Sequence, residues 1–232
     1  MAAKDTLTRY RRRRDFSRTS EPEGDRGRSS GDEPVFVVQI HDAGTLHFDF
    51  RLEADGVLKS WAVPKGPSTD PHDKRFATPT EDHPLDYRRF EGVIPGGEYG
   101  AGTVIVWDEG TYGNLSTDRS GHEIPLSEAL DQGHASFRLD GHKLHGGYAL
   151  TRIRTDDSSG REAWLLVKHA DARAASGHGT PDPRRARSVR TGHTLRQVAT
   201  EAEEKAEEKA EEKAGSGAAR DGVREQPVRS TR

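Results

Sequence analysis

Between Pro34 and His169 the chain is built from short runs of Val, Ile, Leu, Phe and Trp, each closed off by Gly, Pro or Asp. Runs of that length suit strands, whereas a packed helix needs a longer stretch of 3.6-residue periodicity. The pattern predicts strands over residues 35–41, 46–53, 57–63, 102–108, 135–139, 147–153 and 163–168, with helical periodicity only near 126–132. So many short strands separated by turn residues must pair with their neighbours and close on themselves. The expected fold is mainly β: a small antiparallel β-barrel with short helical additions. Trp61, Trp107 and Trp164 fall in strand-like runs and are expected in its core. The Gly-rich stretch from Ile94 to Gly100 has no Lys-Ser/Thr ending and no helix after it, so it reads as a strained turn and not as a phosphate loop.

The remainder cannot share in that core. Only 31% of the 232 residues are hydrophobic and 32% are charged, and the apolar ones are concentrated in the segment just described. We therefore divide the chain into a basic N-terminal arm over 1–33, a barrel domain over 34–170 and a charged, largely disordered tail over 171–232. Within the tail Glu-Glu-Lys-Ala occurs three times from Glu203 to Ala214, which sets Glu and Lys at helical i, i+4 spacing but gives no apolar face. That repeat predicts a charged, solvated helix. Residues 201–214 carry seven Glu and three Lys, a net −4 in a chain of net −3. The rest is locally basic, with Arg9 and Arg11 to Arg14 in one cluster and Arg184, Arg185, Arg187 and Arg190 in another.

The absence of cysteine removes disulfides, thiolate-bound zinc and thiol nucleophiles, so any metal must sit on His, Asp or Glu. The segment Leu46-His47-Phe48-Asp49-Phe50-Arg51-Leu52 offers such groups. Strand alternation sends Leu46, Phe48, Phe50 and Leu52 to one face and His47, Asp49 and Arg51 to the other. In the preceding run Gln39 and His41 share a face. A hairpin closing about Gly44 sets His41 opposite His47 and Gln39 opposite Asp49. Directly opposed Cβ atoms are about 5 Å apart, close enough for two imidazoles and a carboxylate to meet on one ion. Arg51 beside that cluster points to an anion, for which phosphate suits both a divalent ion and a guanidinium fork.

These residues resemble the 3′-phosphoesterase domain of bacterial DNA ligase D. The likeness runs from Arg14-Asp15-Phe16-Ser17-Arg18-Thr19-Ser20-Glu21-Pro22 through Phe36-Val37-Val38-Gln39-Ile40-His41-Asp42-Ala43 and the segment around Asp49. It continues through Trp61-Ala62-Val63-Pro64-Lys65-Gly66-Pro67, Glu81-Asp82-His83-Pro84-Leu85-Asp86-Tyr87 and Ile94-Pro95-Gly96-Gly97-Glu98-Tyr99-Gly100, and closes on Trp164-Leu165-Leu166-Val167-Lys168-His169. The resemblance implies a divalent metal, preferably Mn2+, on His41, His47 and Asp49. It further implies that Arg51 and His83 meet the scissile phosphate and that Tyr87 joins them as a catalytic residue. Gln39, Lys65, Arg75 and Glu81 would line the pocket, and Arg14, Asp15 and Glu21 would reach it from the arm.

The implied activity is removal of a 3′-terminal ribonucleoside and then of the remaining 3′-phosphate; with no Ser or Cys constellation in the sequence, water is the expected nucleophile, and a covalent step through a histidine stays open. The implied substrates are DNA or RNA-tipped DNA 3′ ends. Ligase, polymerase and end-binding proteins would be separate partners of a monomer working at the nucleoid in the cytoplasm, away from any membrane. Two other readings fit part of the pattern: a nonhaem iron oxygenase, which also uses two histidines and a carboxylate, and a nucleic-acid binding module without catalysis. An arginine on the metal-facing side argues against the first, and the full ligand set against the second.

Overall fold

In the computed structural model, which describes residues 6–24, 33–155, 162–177 and 180–218, each expected run becomes a strand, and all but the one over 57–63 extend by pairing with a neighbour. The strands are β1 (Val35–Asp42), β2 (Leu46–Ala54), β3 (Val57–Val63), β4 (Arg75–Pro79), β5 (Gly92–Ile94), β6 (Gly102–Asn114), β7 (His134–Gly141), β8 (His145–Thr155) and β9 (Glu162–Lys168). All pair antiparallel, in the order β1-β2-β3-β4-β9-β8-β7-β6-β5. A further β1–β6 ladder closes eight of them into a barrel and leaves β5 as a flap on β6. Closure removes the free edges that an open sheet of this size would expose.

Alternation then sorts the apolar residues into two clusters. Phe36, Val38, Ile40, Phe48, Phe50, Leu52, Trp61, Ile105, Trp107, Phe137, Tyr148 and Trp164, drawn from strands all round the barrel, fill its interior. The three tryptophans are 4%, 4% and 3% exposed, as core positions require. The second cluster lies on the outer face of the wall. There Val37, Val104 and Val106 are covered by Tyr87, Phe90, Ile94 and by Leu7 and Tyr10 of the arm. The arm is thus a packed element: α1 (Thr8–Arg12) turns Tyr10 wholly inward.

Three elements were not legible as runs. β4 buries Ala77 while leaving Phe76 48% exposed, β5 is three residues long, and the 3-10 turn Leu85–Arg89 alternates with neither period. At the start of β6, Gly102 adopts φ 148°, which a side chain would strain, and a Cβ there would collide with the Asp42 carbonyl oxygen. Glycine lets β6 lie against the end of β1, next to the hairpin that carries the histidines.

The packed region does not end at 170. Ala186, Leu195 and Val198 join the barrel cluster, the Val189 N–H donates to Val106 O at 2.9 Å, and Arg190 pairs with Glu109 at 2.8 Å. After the short helix α2 (Leu126–Asp131), Leu195 and Val198 open α3 (Leu195–Ala218), and from Glu203 to Glu212 every residue of that helix is exposed. The charged repeat masked this anchor, because three apolar residues spread over thirteen positions show no period. Residues 219–232, also expected to be disordered, lie outside the described residues.

Candidate active site on the outer wall of the barrel

The β1–β2 hairpin has the register that its symmetry predicts, with His41 opposite His47 and Gln39 opposite Asp49. The imidazole centroids are 5.1 Å apart. His41 Nε2 lies 2.8 Å from the Gly100 carbonyl oxygen and His47 Nδ1 lies 2.7 Å from that of Thr45. A carbonyl only accepts, so each of these nitrogens carries a proton, and the other nitrogen of each ring, His41 Nδ1 and His47 Nε2, faces Asp49 as the atom available to a metal ion. Those nitrogens are 3.7 Å from Asp49 Oδ2 and Oδ1 respectively. The three ligand atoms fall within 4.8 Å of one another. Burial opposes ionisation of Asp49, but the Arg51 guanidinium and the two imidazoles outweigh it and hold the carboxyl well below its usual range. Two imidazole lone pairs and a fixed carboxylate, each imidazole oriented by a backbone carbonyl, form a donor set that fits a divalent cation.

Arg51 is 2% exposed and uses every edge of its guanidinium. Nε donates to Gln39 Oε1 at 2.9 Å, Nη1 to Ser60 Oγ at 2.8 Å and Nη2 to Asp49 Oδ2 at 3.0 Å. Nη1 also lies 2.9 Å from His83 Nδ1. Gln39 is locked in turn by donating to the carbonyls of Tyr87 and Phe90 at 3.1 and 3.0 Å. Burial, with Arg51 and Arg14 nearby, pushes His83 well below its usual pKa, so the ring is neutral at physiological pH. The phenol of Tyr87 is driven well above its usual range by burial and by the Glu21 carboxylate, to which it donates at 3.0 Å.

The arm closes the pocket through carboxylates. Arg14, its side chain 4% exposed, pairs with Glu21 at 2.8 Å and with Glu81 at 2.9 Å, and stacks over the Tyr10 ring at 3.8 Å. Arg13 meets the other oxygen of Glu81 at 2.6 Å and reaches the Tyr99 hydroxyl. The resulting cavity of about 270 Å³ is lined by His41, His47, Asp49, Arg51, His83 and Tyr87 together with Arg14, Glu81 and Tyr99.

Three residues implied by the resemblance stand apart. Asp15 is exposed and caps its own turn by accepting from Ser17 N–H and Oγ. Lys65 is exposed in the turn after β3, and Arg75 pairs with Asp73 at 2.8 Å. None of them lines the cavity, and Gln39 and Glu21 sit behind its lining, against Arg51 and Tyr87 respectively. Sequence reasoning passed over Ser60, Arg13 and Tyr99, and the Gly100 and Thr45 carbonyls. Ser60 was recoverable only from the β2–β3 register, which pairs it with Arg51. The carbonyls carry no side-chain signal at all.

Fold and site together define a class: a small closed antiparallel barrel whose outer wall bears a metal-competent cluster joined to a buried arginine. Comparison with known sequences names the family within it. Residues 39–152 match the family model of the DNA ligase D 3′-phosphoesterase domain, and the chain belongs to that family. It is 50% identical over 177 residues to the multifunctional non-homologous end joining protein LigD of Pseudomonas aeruginosa PAO1, covering 76% of this chain and 20% of that protein. With the corresponding protein of Mycobacterium tuberculosis H37Rv it shares 49% identity over 152 residues, 66% of this chain and 19% of the relative. The Mycolicibacterium smegmatis protein is 40% identical over 176 residues, which is 74% of this chain and 21% of the relative. The chain thus spans about a fifth of the length of these relatives.

Proposed function

We propose that this barrel is a 3′-end-healing phosphoesterase of non-homologous end joining, acting on DNA and RNA-tipped DNA ends. The observation that carries the reading is the direct hydrogen bond from Arg51 to Asp49, which ties an anion-binding guanidinium to a three-ligand cluster in one buried pocket. His41, His47 and Asp49 would hold the ion, for which manganese is our choice, and it would supply Lewis acidity to a non-bridging phosphate oxygen. Arg51, fixed by Gln39 and Ser60, holds its charge against the phosphoryl oxygens with no reorganisation left to make. His83 is the hydrogen-bonding partner of the phosphate and the general acid. Arrival of a dianion offsets the burial that keeps the ring neutral and raises its pKa toward the working pH. Tyr87 donates to Glu21 and sets the far wall.

In the diester step a water oxygen bonds to phosphorus while the P–O5′ bond to the terminal ribonucleoside breaks, leaving a 3′-phosphate. In the monoester step a second water displaces the 3′ oxygen, giving inorganic phosphate and a ligatable 3′-hydroxyl. Arg14, Glu21 and Glu81 position the arm over the site, and we assign Asp15, Lys65 and Arg75 to contacts with substrate beyond the pocket. The guanidinium inside the site favours anion chemistry over the oxygenase alternative. No described helix is long and apolar enough to cross a membrane. We place the enzyme on the nucleoid in the cytoplasm, as a monomer working with a separate ligase, polymerase and end-binding protein. A primer–template whose primer ends in one ribonucleotide tests this. The expected sequence of products is loss of the nucleoside and then of phosphate, and a primer unchanged with Mn2+ present would refute the assignment.

A further inference from the structure

Outside the pocket, a groove of about 880 Å³ runs along α1, walled by Arg9, Arg12 and Arg13 on one side and by Lys59, Asp82 and Asp131 on the other. Its charge is two units positive, four cations against two carboxylates. The cations differ in what they already do. Lys59 is held by Asp82 at 2.7 Å and Arg13 by Glu81 at 2.6 Å. Arg9 and Arg12 are exposed, and their guanidiniums make no hydrogen bond or ion pair with a described residue. They stand three apart on a helical turn, hence on one side of it with Cβ atoms about 5–6 Å apart.

The groove also has a fixed relation to the active site. Arg13 lines it and touches Glu81 and Tyr99, both of which line the catalytic cavity. Nothing in the chemistry at Asp49 uses Arg9 or Arg12. Since α1 is clamped by the buried Tyr10 and Leu7, the two free guanidiniums are carried on a rigid mount and not on a loose tail.

We propose that this groove is a second nucleic-acid contact, in which Arg9 and Arg12 bind successive phosphates of the strand some nucleotides upstream of the 3′ end being healed. The inference rests on the end-healing reading for its ligand but not for its test. Charge and position commit the groove to a polynucleotide backbone: it is net positive, its two arginines unpaired among the described residues offer guanidinium forks to phosphates, and Arg13 joins it to the cavity that takes the 3′ end. A strand held there is anchored at two points, so the scissile phosphate is presented to the cavity as an intramolecular event. The enzyme would then prefer ends that carry several upstream nucleotides over free 3′-nucleotides, without reading sequence.

Binding decides it, measured by fluorescence anisotropy with a 24-nucleotide primer–template over a series of salt concentrations. Each phosphate contact adds roughly 0.7–0.9 to the slope of log K against log salt, so Arg9→Ala/Arg12→Ala should make the slope shallower by about 1.5 and weaken binding several-fold at low salt. An Arg184→Ala/Arg185→Ala pair, which removes the same charge from the exposed C-terminal segment, should leave the slope unchanged. An unaltered slope in the first pair, or an equal loss in the second, overturns the inference. Both substituted pairs are exposed, and unchanged thermal unfolding confirms that the variants are intact. Release of phosphate by the wild-type protein, with Mn2+ present, from the same 24-nucleotide primer–template carrying a 3′-phosphate separates the two readings. Its absence, with the slope change present, would sink the catalytic assignment and leave the groove standing.

Discussion

Replacing Arg51 by Met should destabilise the metal-free protein by about 3–5 kcal/mol, the range for removing one partner of a buried charged pair. The figure follows from what the guanidinium leaves behind. Asp49 is 6% exposed and owes its ionised state chiefly to Arg51, while Gln39 Oε1 and Ser60 Oγ each lose a charged donor. Arg51→Lys keeps the charge but not the fork. An ammonium is a single point that cannot span Gln39, Ser60 and Asp49 together, so roughly half the loss should remain, on the order of 1.5–3 kcal/mol for a charged hydrogen bond forfeited. Urea unfolding in chelator measures both, with unchanged m required for the comparison. Two further results are tied to the same geometry. Asp49→Asn in the Arg51→Met background should recover stability, because it removes the uncompensated charge, and Mn2+ should stabilise Arg51→Met more than it stabilises the wild type. An Arg51→Met midpoint equivalent to wild type within about 0.5 kcal/mol, the usual scatter for inconsequential surface changes, would show that the buried network does not exist as drawn.

Other consequences can be checked with the same equipment. His83 is held below the usual histidine pKa of about 6.5, so its neutral form is the one the folded state favours. The unfolded chain then takes up the proton first, and stability is intact above pH ~6.5 and falls as pH drops below it, by at most about 1.4 kcal/mol per pH unit for one proton. His83→Gln should flatten that part of the profile, and an identical acid limb in the variant would refute the assignment. A chain ending at 171 should lose cooperative stability, because Leu195 and Val198 each bury a side chain worth roughly 1.5–3 kcal/mol, whereas ending it after Glu203 should not. Equal melting of the two truncations would contradict the packing of the C-terminal segment.

Much of this site was legible because a hairpin is local. Once 41 and 47 are placed symmetrically about Gly44, pairing geometry alone brings two imidazoles and Asp49 together, and alternation alone assigns Arg51 to their face. What sequence could not supply is long-range. Nothing at Arg14 says that it spends its charge on Glu21 and Glu81 inside the fold, where it holds the arm shut. The barrel was legible from strand count, but its closure through β1 and β6 is a contact between residues some seventy apart. The C-terminal anchor was hidden for a related reason: Ala186, Leu195 and Val198 are too sparse to set a period, yet each finds a place in a core already formed.

The central claim is that His41, His47 and Asp49 act as one metal centre for phosphate release. The most direct measurement is single-turnover release of phosphate from a 3′-phosphorylated primer, with and without Mn2+, paired with Mn2+ titration of the same proteins by calorimetry. The account predicts one strong site in the wild type and metal-dependent release, with both lost together in His41→Ala, His47→Ala and Asp49→Ala while the barrel still unfolds cooperatively. Wild-type rates of release in any one of the three, or Mn2+ binding that persists with all three replaced, would contradict it.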